Sequence, residues 1–249
     1  MWAMQVDLDH LAKGYGLNHH GSKHPCVLCR ADCDQYKWTD WSPVAAWRST
    51  VLNHEDWKAA QSSLHPLFTL PLVGPCSIIP DVLHIMHLGV YSYFLGSVIK
   101  LLTHYTMPAN KQRNLDVLMS RIKKYYSDNK TPCTFNNITI TMCDRGVSQF
   151  PMLKGKGADI KHLVYAMEHV FADMMCPTNL QHKTIKSMLG HLVQIEEVFH
   201  EHKDLYALPG PTAKKVGQLA DRFAERLTGL PNYYHQQGIL LFHYTIKMH

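Results

Sequence analysis

The chain has 249 residues, 46% hydrophobic and 18% charged, a globular composition with enough length for one large domain or two small ones. It is neither a disordered acidic tail nor a coiled coil. Lys and Arg number 25 against 20 Asp and Glu, a net charge of +5 to which 18 histidines add in acid, and the basic residues lie scattered in pairs such as Lys123-Lys124 and Lys214-Lys215, as on an ordinary solvated surface.

Residues 1–8 alternate loosely, with Trp2, Met4 and Val6 on one side and Ala3, Gln5 and Asp7 on the other, which predicts a short strand ending at Asp7. Residues 14–43 are rich in Gly, His, Asn, Cys and Asp without a helical stripe, so a metal rather than apolar burial is expected to hold them. Helical periodicity then takes over. Asn53 is placed to cap a helix through Trp57 and Ala60 to Leu64. Pro80 is placed to open another in its first turn, with Leu83, Met86, His87 and Val90 on one face and an end near Tyr105. Residues 107–126 set Leu115, Leu118, Met119 and Ile122 at three- and four-residue spacing, an amphipathic helix that 129–132 ends.

Ile138 and Ile140 alternate with threonines in 135–142, the clearest internal strand. After a loop at 145–157, helical stripes run through Leu163, Met167, Val170 and Met174, then through Ile185, Met188, Leu192, Ile195 and Val198. Thr212 is the expected cap of a last helix through Leu219, Phe223 and Leu227. The predicted fold is mostly α with a few short strands. Residues 239–249, apolar and aromatic, read as a cut rather than a natural end. The apolar run 91–99 is interrupted by Lys100 and His104, short of the ~20 residues that cross a bilayer. Nothing at the start has the pattern of a secretory signal, so an intracellular protein is expected.

Seven cysteines are an odd number, and Cys26, Cys29 and Cys33 lie close together, which favours a metal site in a reducing compartment over a disulfide framework. Cys26-Val27-Leu28-Cys29 specifies half of a tetrahedral zinc site, since two thiolates in one tight turn reach the same ion. Cys33, His19, His20 and His24 compete for the remaining positions, and distant histidines are also candidates. Buried free thiols and a redox pair are the alternatives, the latter disfavoured by the missing βαβ context. Asp81, His84 and His87, three apart on a helix, form a polar line suited to a metal or a base; the plainer reading is a helix start with two core histidines. A zinc hydrolase needs a third ligand and a glutamate base that the motif lacks. Asp7 and Asp9 at a strand end are placed to face Mg2+, although such pairs are more often caps. Phosphate-cradling glycine loops and serine nucleophile elbows are absent.

The order of these pieces resembles the transposases of cut-and-paste DNA transposons in the CACTA and Plavaka-like group. Asp7-Leu8-Asp9-His10-Leu11-Ala12 is similar to the family's acidic strand end, and Pro25-Cys26-Val27-Leu28-Cys29 with Trp38-Thr39-Asp40 and Ala46-Trp47-Arg48 to its zinc-knuckle region. Asp81-Val82-Leu83-His84 with Leu88-Gly89-Val90 resembles its D-x-x-H element. Phe150-Pro151-Met152-Leu153-Lys154-Gly155-Lys156, and Leu241-Phe242 with Lys247-Met248-His249, resemble its downstream blocks.

The resemblance implies a partial ribonuclease-H-like core carrying a large helical insertion: a core remnant with the CxxC loop at 1–41, the insertion at 42–238, and the start of a further core segment at 239–249. In such DDE enzymes three acids hold two Mg2+ ions for DNA cleavage and strand transfer in the nucleus, and the family layout points to Asp7 as the second acid, with Asp9 as fallback. A related layout, in the recombinase that cuts immune-receptor genes, pairs CxxC with two late histidines on zinc, which makes His249 one late ligand. The first acid and the final glutamate of the pattern fall outside 1–249, so the expectation is a transposon-derived fragment inactive alone, with DNA at transposon ends the partner of an intact relative. A zinc-stabilised module binding DNA or protein is the alternative, and an independent metallohydrolase on Asp81, His84 and His87 ranks last.

Overall fold

The computed structural model describes residues 4–60, 65–71, 73–146 and 148–249. The chain is mostly helical with very little strand and divides into two compact units, Met1–Met86 with Thr245–His249, and His87–Tyr244. In the first unit Trp57, Phe68, Val73 and Ile78 share one core with Leu11 and Leu17.

In the first unit β1 (Met4–Val6) pairs in parallel with β2 (Ile78–Pro80), in the register Met4↔Ile78, Gln5↔Ile79, Val6↔Pro80. Trp2, assigned to this strand by its pattern, lies outside the described residues. Asp7 does end β1, but as the N-cap of α1 (Leu8–Tyr15), where its Oδ1 accepts from the His10 amide at 2.6 Å. Gly16 closes α1 in the left-handed region, φ 69°, and returns its N–H to Ala12 and Leu11. Asn53 caps α2 (His54–Ala59) through a 2.9 Å bond from the Asp56 amide; the predicted end at Leu64 lies outside the described residues. Pro80 does not open a helix. It ends β2, where its missing N–H costs nothing at a strand terminus, and Asp81 takes the capping role by accepting from the Leu83 amide at 3.1 Å.

The next helix, α3 (Leu83–Thr106), is π-helical over Leu83–Tyr91, regular over Ser92–Leu101 and π-helical again over Leu102–Thr106. By length and composition it is able to cross a membrane, contrary to the reading of Lys100 and His104 as interruptions. Its most apolar window is 78% buried inside the protein, as in a core helix. Burial of Lys100 is balanced by Asp144, whose Oδ1 lies 2.8 Å from Nζ. Gly96 lets α3 approach a backbone: a Cβ there would sit 2.7 Å from the Leu153 amide nitrogen, whose N–H bonds to Ser92 O at 2.8 Å.

The second unit continues with α4 (Lys111–Asp128), α5 (Ile140–Cys143), α6 (Gly157–Met174), α7 (Leu180–Glu201) and α8 (Gly210–His235). The amphipathic stripe of α4 buries Leu115, Leu118, Met119 and Ile122 as its spacing predicts, α4 packs on α6, and α7 packs on both α6 and α8. Two expectations fail. Residues 135–142 are not a strand: among the described residues β1 and β2 form the one sheet, so the alternation finds no partner. Phe135 and Ile138 are instead buried in the helical core and the chain turns into α5 at Ile140. Thr212 is not a cap either. Pro209 holds that position and Pro211 lies in the first turn, where a missing N–H is harmless.

Asn114 ties the end of α3 to α4. Its buried amide nitrogen lies 2.8 Å from Thr103 O, 3.1 Å from Met107 O and 2.8 Å from Ala109 O, and its Oδ1 accepts from the Ala109 amide. Asn114→Ala strands these backbone groups and is expected to lower stability by about 2–3 kcal/mol in urea unfolding, against about 1 kcal/mol for a lone exposed bond.

Candidate metal centre

Local geometry makes the CxxC turn rigid before any ion is considered. The Leu28 amide points at Cys26 Sγ at 3.3 Å, Trp57 Nε1 donates to Val27 O at 2.7 Å, and the Leu52 amide donates to Leu28 O at 3.0 Å. Cys29 forms an antiparallel bridge with Val51. The turn is thus held from α2 and from the segment before it.

From the other end of the chain, the 3-10 turn Ile246–Met248 delivers His249. The Thr245 hydroxyl caps that turn, and Lys247 Nζ donates to His84 O at 3.0 Å. The ligand atoms of Cys26, Cys29 and His249 all lie within 4.8 Å of one another, with Cys29 Sγ 3.2 Å from His249 Nε2. Cys29 is buried and the other two are half-buried. Donation from Cys29 holds the Cys26 thiol far below the ordinary range, with burial opposing and His249 assisting; the same bond, together with burial, pushes Cys29 upward. Metal takes cysteine as the thiolate, the form favoured at Cys26. Two sulfurs and an imidazole suit a borderline-soft ion such as zinc and do not suit Mg2+, which takes oxygen.

The other sequence candidates stand apart. Cys33 is exposed, and His24 lines a cavity of about 540 Å3 that Cys26 and Cys29 border, without joining the ligand group. His19 and His20 gather with Asp9, their nitrogens 3.8 and 3.5 Å from its Oδ1. That trio is poorly set for metal. The His19 Nδ1 accepts from the Gly21 amide at 3.0 Å, which leaves the proton of the neutral ring on Nε2, the atom facing Asp9. Asp9 is also paired with Lys13 at 3.0 Å.

Asp7 and Asp81 follow the carboxyl ends of the two parallel strands, since Val6 and Pro80 are in register. Both carboxylates are committed: Asp7 to the α1 cap, Asp81 to the Gln5 amide, the Leu83 amide and His84 Nδ1. Among the described residues no three carboxylates come within reach of one ion. No protein-family model, curated protein or solved structure matches the chain.

The predicted line Asp81, His84, His87 does not form. In a π-helix the bonds run i→i+5 and the wider turn rotates residues three apart off a common face. His84 pairs with Asp81, whereas His87 Nε2 lies 2.9 Å from Glu196 Oε1, which also accepts from the Tyr91 hydroxyl at 2.9 Å. Glu196 is fully buried on α7, and Lys161 Nζ lies 3.5 Å from its Oε2. Burial pushes its carboxyl up, but the His87 and Tyr91 bonds and the Lys161 charge outweigh this and hold it below the usual range. A depressed acid adds stability above its unfolded pKa and loses it as pH falls through the folded value. Glu196→Gln is therefore expected to destabilise by about 2–3 kcal/mol near neutral pH. In denaturant titrations the gap from wild type should close below about pH 4.

Proposed function

We propose that Met1–Met86 with Thr245–His249 is a zinc-stapled piece of a ribonuclease-H-like transposase core, carrying a helical unit and performing no phosphodiester chemistry by itself. The convergence of Cys26, Cys29 and His249 carries this reading. The transposase resemblance assigns two ligands to the CxxC, the related recombinase layout makes His249 a late one, and those three side chains meet across 220 residues of sequence. Its RNase-H-like aspect is supported by the parallel β1–β2 pair, at whose shared carboxyl end Asp7 and Asp81 leave the sheet, the end where open α/β sheets hold their ligands.

When bound, zinc supplies a cross-link. Cys26 and Cys29 hold one side, His249 the other, and the ion joins the turn before Trp41 to the turn after Thr245. Asp7, which the resemblance makes a metal-binding acid, is occupied as a helix cap and has no second and third carboxylate beside it among the described residues. Two Mg2+ ions ~4 Å apart need such neighbours. The purified chain is expected to hold one zinc per molecule, to lose it in Cys26→Ser, and to leave supercoiled DNA uncut in Mg2+. Mass spectrometry of the metal and a plasmid-nicking assay check both; nicking that disappears in Asp7→Ala would overturn the inactive reading.

A second reading, a zinc-stabilised DNA-binding module, is favoured by where the charge lies. Residues 87–244 hold 18 Lys and Arg against 12 Asp and Glu, and the rest of the chain 7 against 8, so the positive surplus belongs to the helical unit. Binding through phosphates makes the logarithm of affinity fall linearly with that of salt, by ~0.9 per contact. A slope of several contacts on duplex DNA selects this reading; absence of binding at low salt selects the remnant.

A further inference from the structure

We infer that Trp41, Trp47 and Arg48 form a clamp that positions the His249 imidazole for metal, an inference that rests on the zinc reading above. A histidine that binds metal through one nitrogen usually gives its other N–H to a carboxylate or carbonyl, which fixes the ring and its tautomer. His249 faces Cys29 with Nε2, and its Nδ1 is buried without a hydrogen-bond partner in the protein. The orientation falls to ring contacts instead. Trp47 meets the imidazole edge-to-face with centroids 4.4 Å apart and planes at 68°, Trp41 does so at 5.9 Å and 66°, and the two indoles pack on each other at 5.4 Å.

Arg48 closes the clamp from behind. Its guanidinium lies 4.6 Å from the Trp47 ring centre and 5.7 Å from that of Trp41, and its Nε donates to Ser42 O at 3.2 Å. The indole of Trp47 is pinned in turn by donation to Asp40 O at 2.5 Å. The clamp and the thiols share one frame: Trp47 O accepts from the Thr50 hydroxyl at 2.7 Å, and that hydroxyl accepts from the amide of Arg30, the residue after Cys29. Imidazole and sulfurs are therefore held in register by the same short stretch of backbone, and the rings replace the missing acceptor.

The test uses the full chain as wild type, Trp47→Ala, Trp47→Phe and Cys26→Ser, with zinc affinity from chelator competition and the ligand-field spectrum of the Co2+ form. Trp47→Ala is expected to bind zinc about 10–100-fold more weakly, the range seen when ligand-orienting partners are lost. Its Co2+ spectrum should keep the thiolate charge-transfer band and shift the ligand-field bands, because the imidazole loosens and the sulfurs do not. Trp47→Phe, which keeps an aromatic ring against the imidazole, should recover most of the affinity. Wild-type affinity and spectrum in a folded Trp47→Ala would overturn the clamp. If that chain loses its circular dichroism, Trp47→Leu takes its place under the same criteria. Zinc retained by Cys26→Ser would sink the zinc reading itself; Cys26→Ser without zinc beside an unperturbed Trp47→Ala sinks the clamp alone.

Discussion

The first unit brings the His249 imidazole to two thiols, the nearer of them 220 residues earlier in the chain. Nothing local can do this. The CxxC turn is short and self-sufficient, held by Trp57 and Leu52, but His249 arrives only because the chain leaves the unit after Met86 and returns at Thr245. Closing a flexible loop of that length costs entropy that grows only slowly with length, and here the intervening residues fold as a helical unit with its own core. The first unit has a small core around Leu11, Leu17, Trp57 and Phe68, and the loop between α1 and α2 is stabilised mainly by turns and side-chain bonds. An ion at Cys26, Cys29 and His249 would therefore contribute more to this unit than the same ion could to the helical one.

Much of the helical architecture was legible in the sequence because period and burial agree there. The stripes of α4, α6 and α7 face the core as their spacing predicts, and Asn53 caps α2. The threonine and isoleucine alternation at 135–142 misled because period 2 describes a surface able to pair, not a partner to pair with. Helix α1 runs between Asp7 as cap and Gly16 as left-handed stop, nine residues apart, so for Asp7 the plainer cap reading is the one the structure shows.

The candidate site was half legible. Cys26 and Cys29 announce themselves by spacing, whereas His249 is one histidine among 18 and was reachable only through family resemblance. Trp47 and Arg48 belong to the Ala46-Trp47-Arg48 block of the resemblance and Trp41 to none, and which ring they touch is a long-range fact with no period to show it. Glu196 had no signal at all, because a buried acid on an amphipathic helix looks like any exposed one until its partners His87, Tyr91 and Lys161 come from elsewhere in the chain. At 3.6 residues per turn His84 and His87 would share a face, but the π-helical start of α3 has a wider turn and sends the two rings to different carboxylates.

Parallel strands are ordinarily found in the middle of wide sheets with neighbours on either hand. Among the described residues β1 and β2 bond only to each other, so each turns an outer row of amides and carbonyls away from its mate. Further strands laid along either row would widen the sheet while the shared carboxyl end, and the two aspartates that leave from it, kept their places.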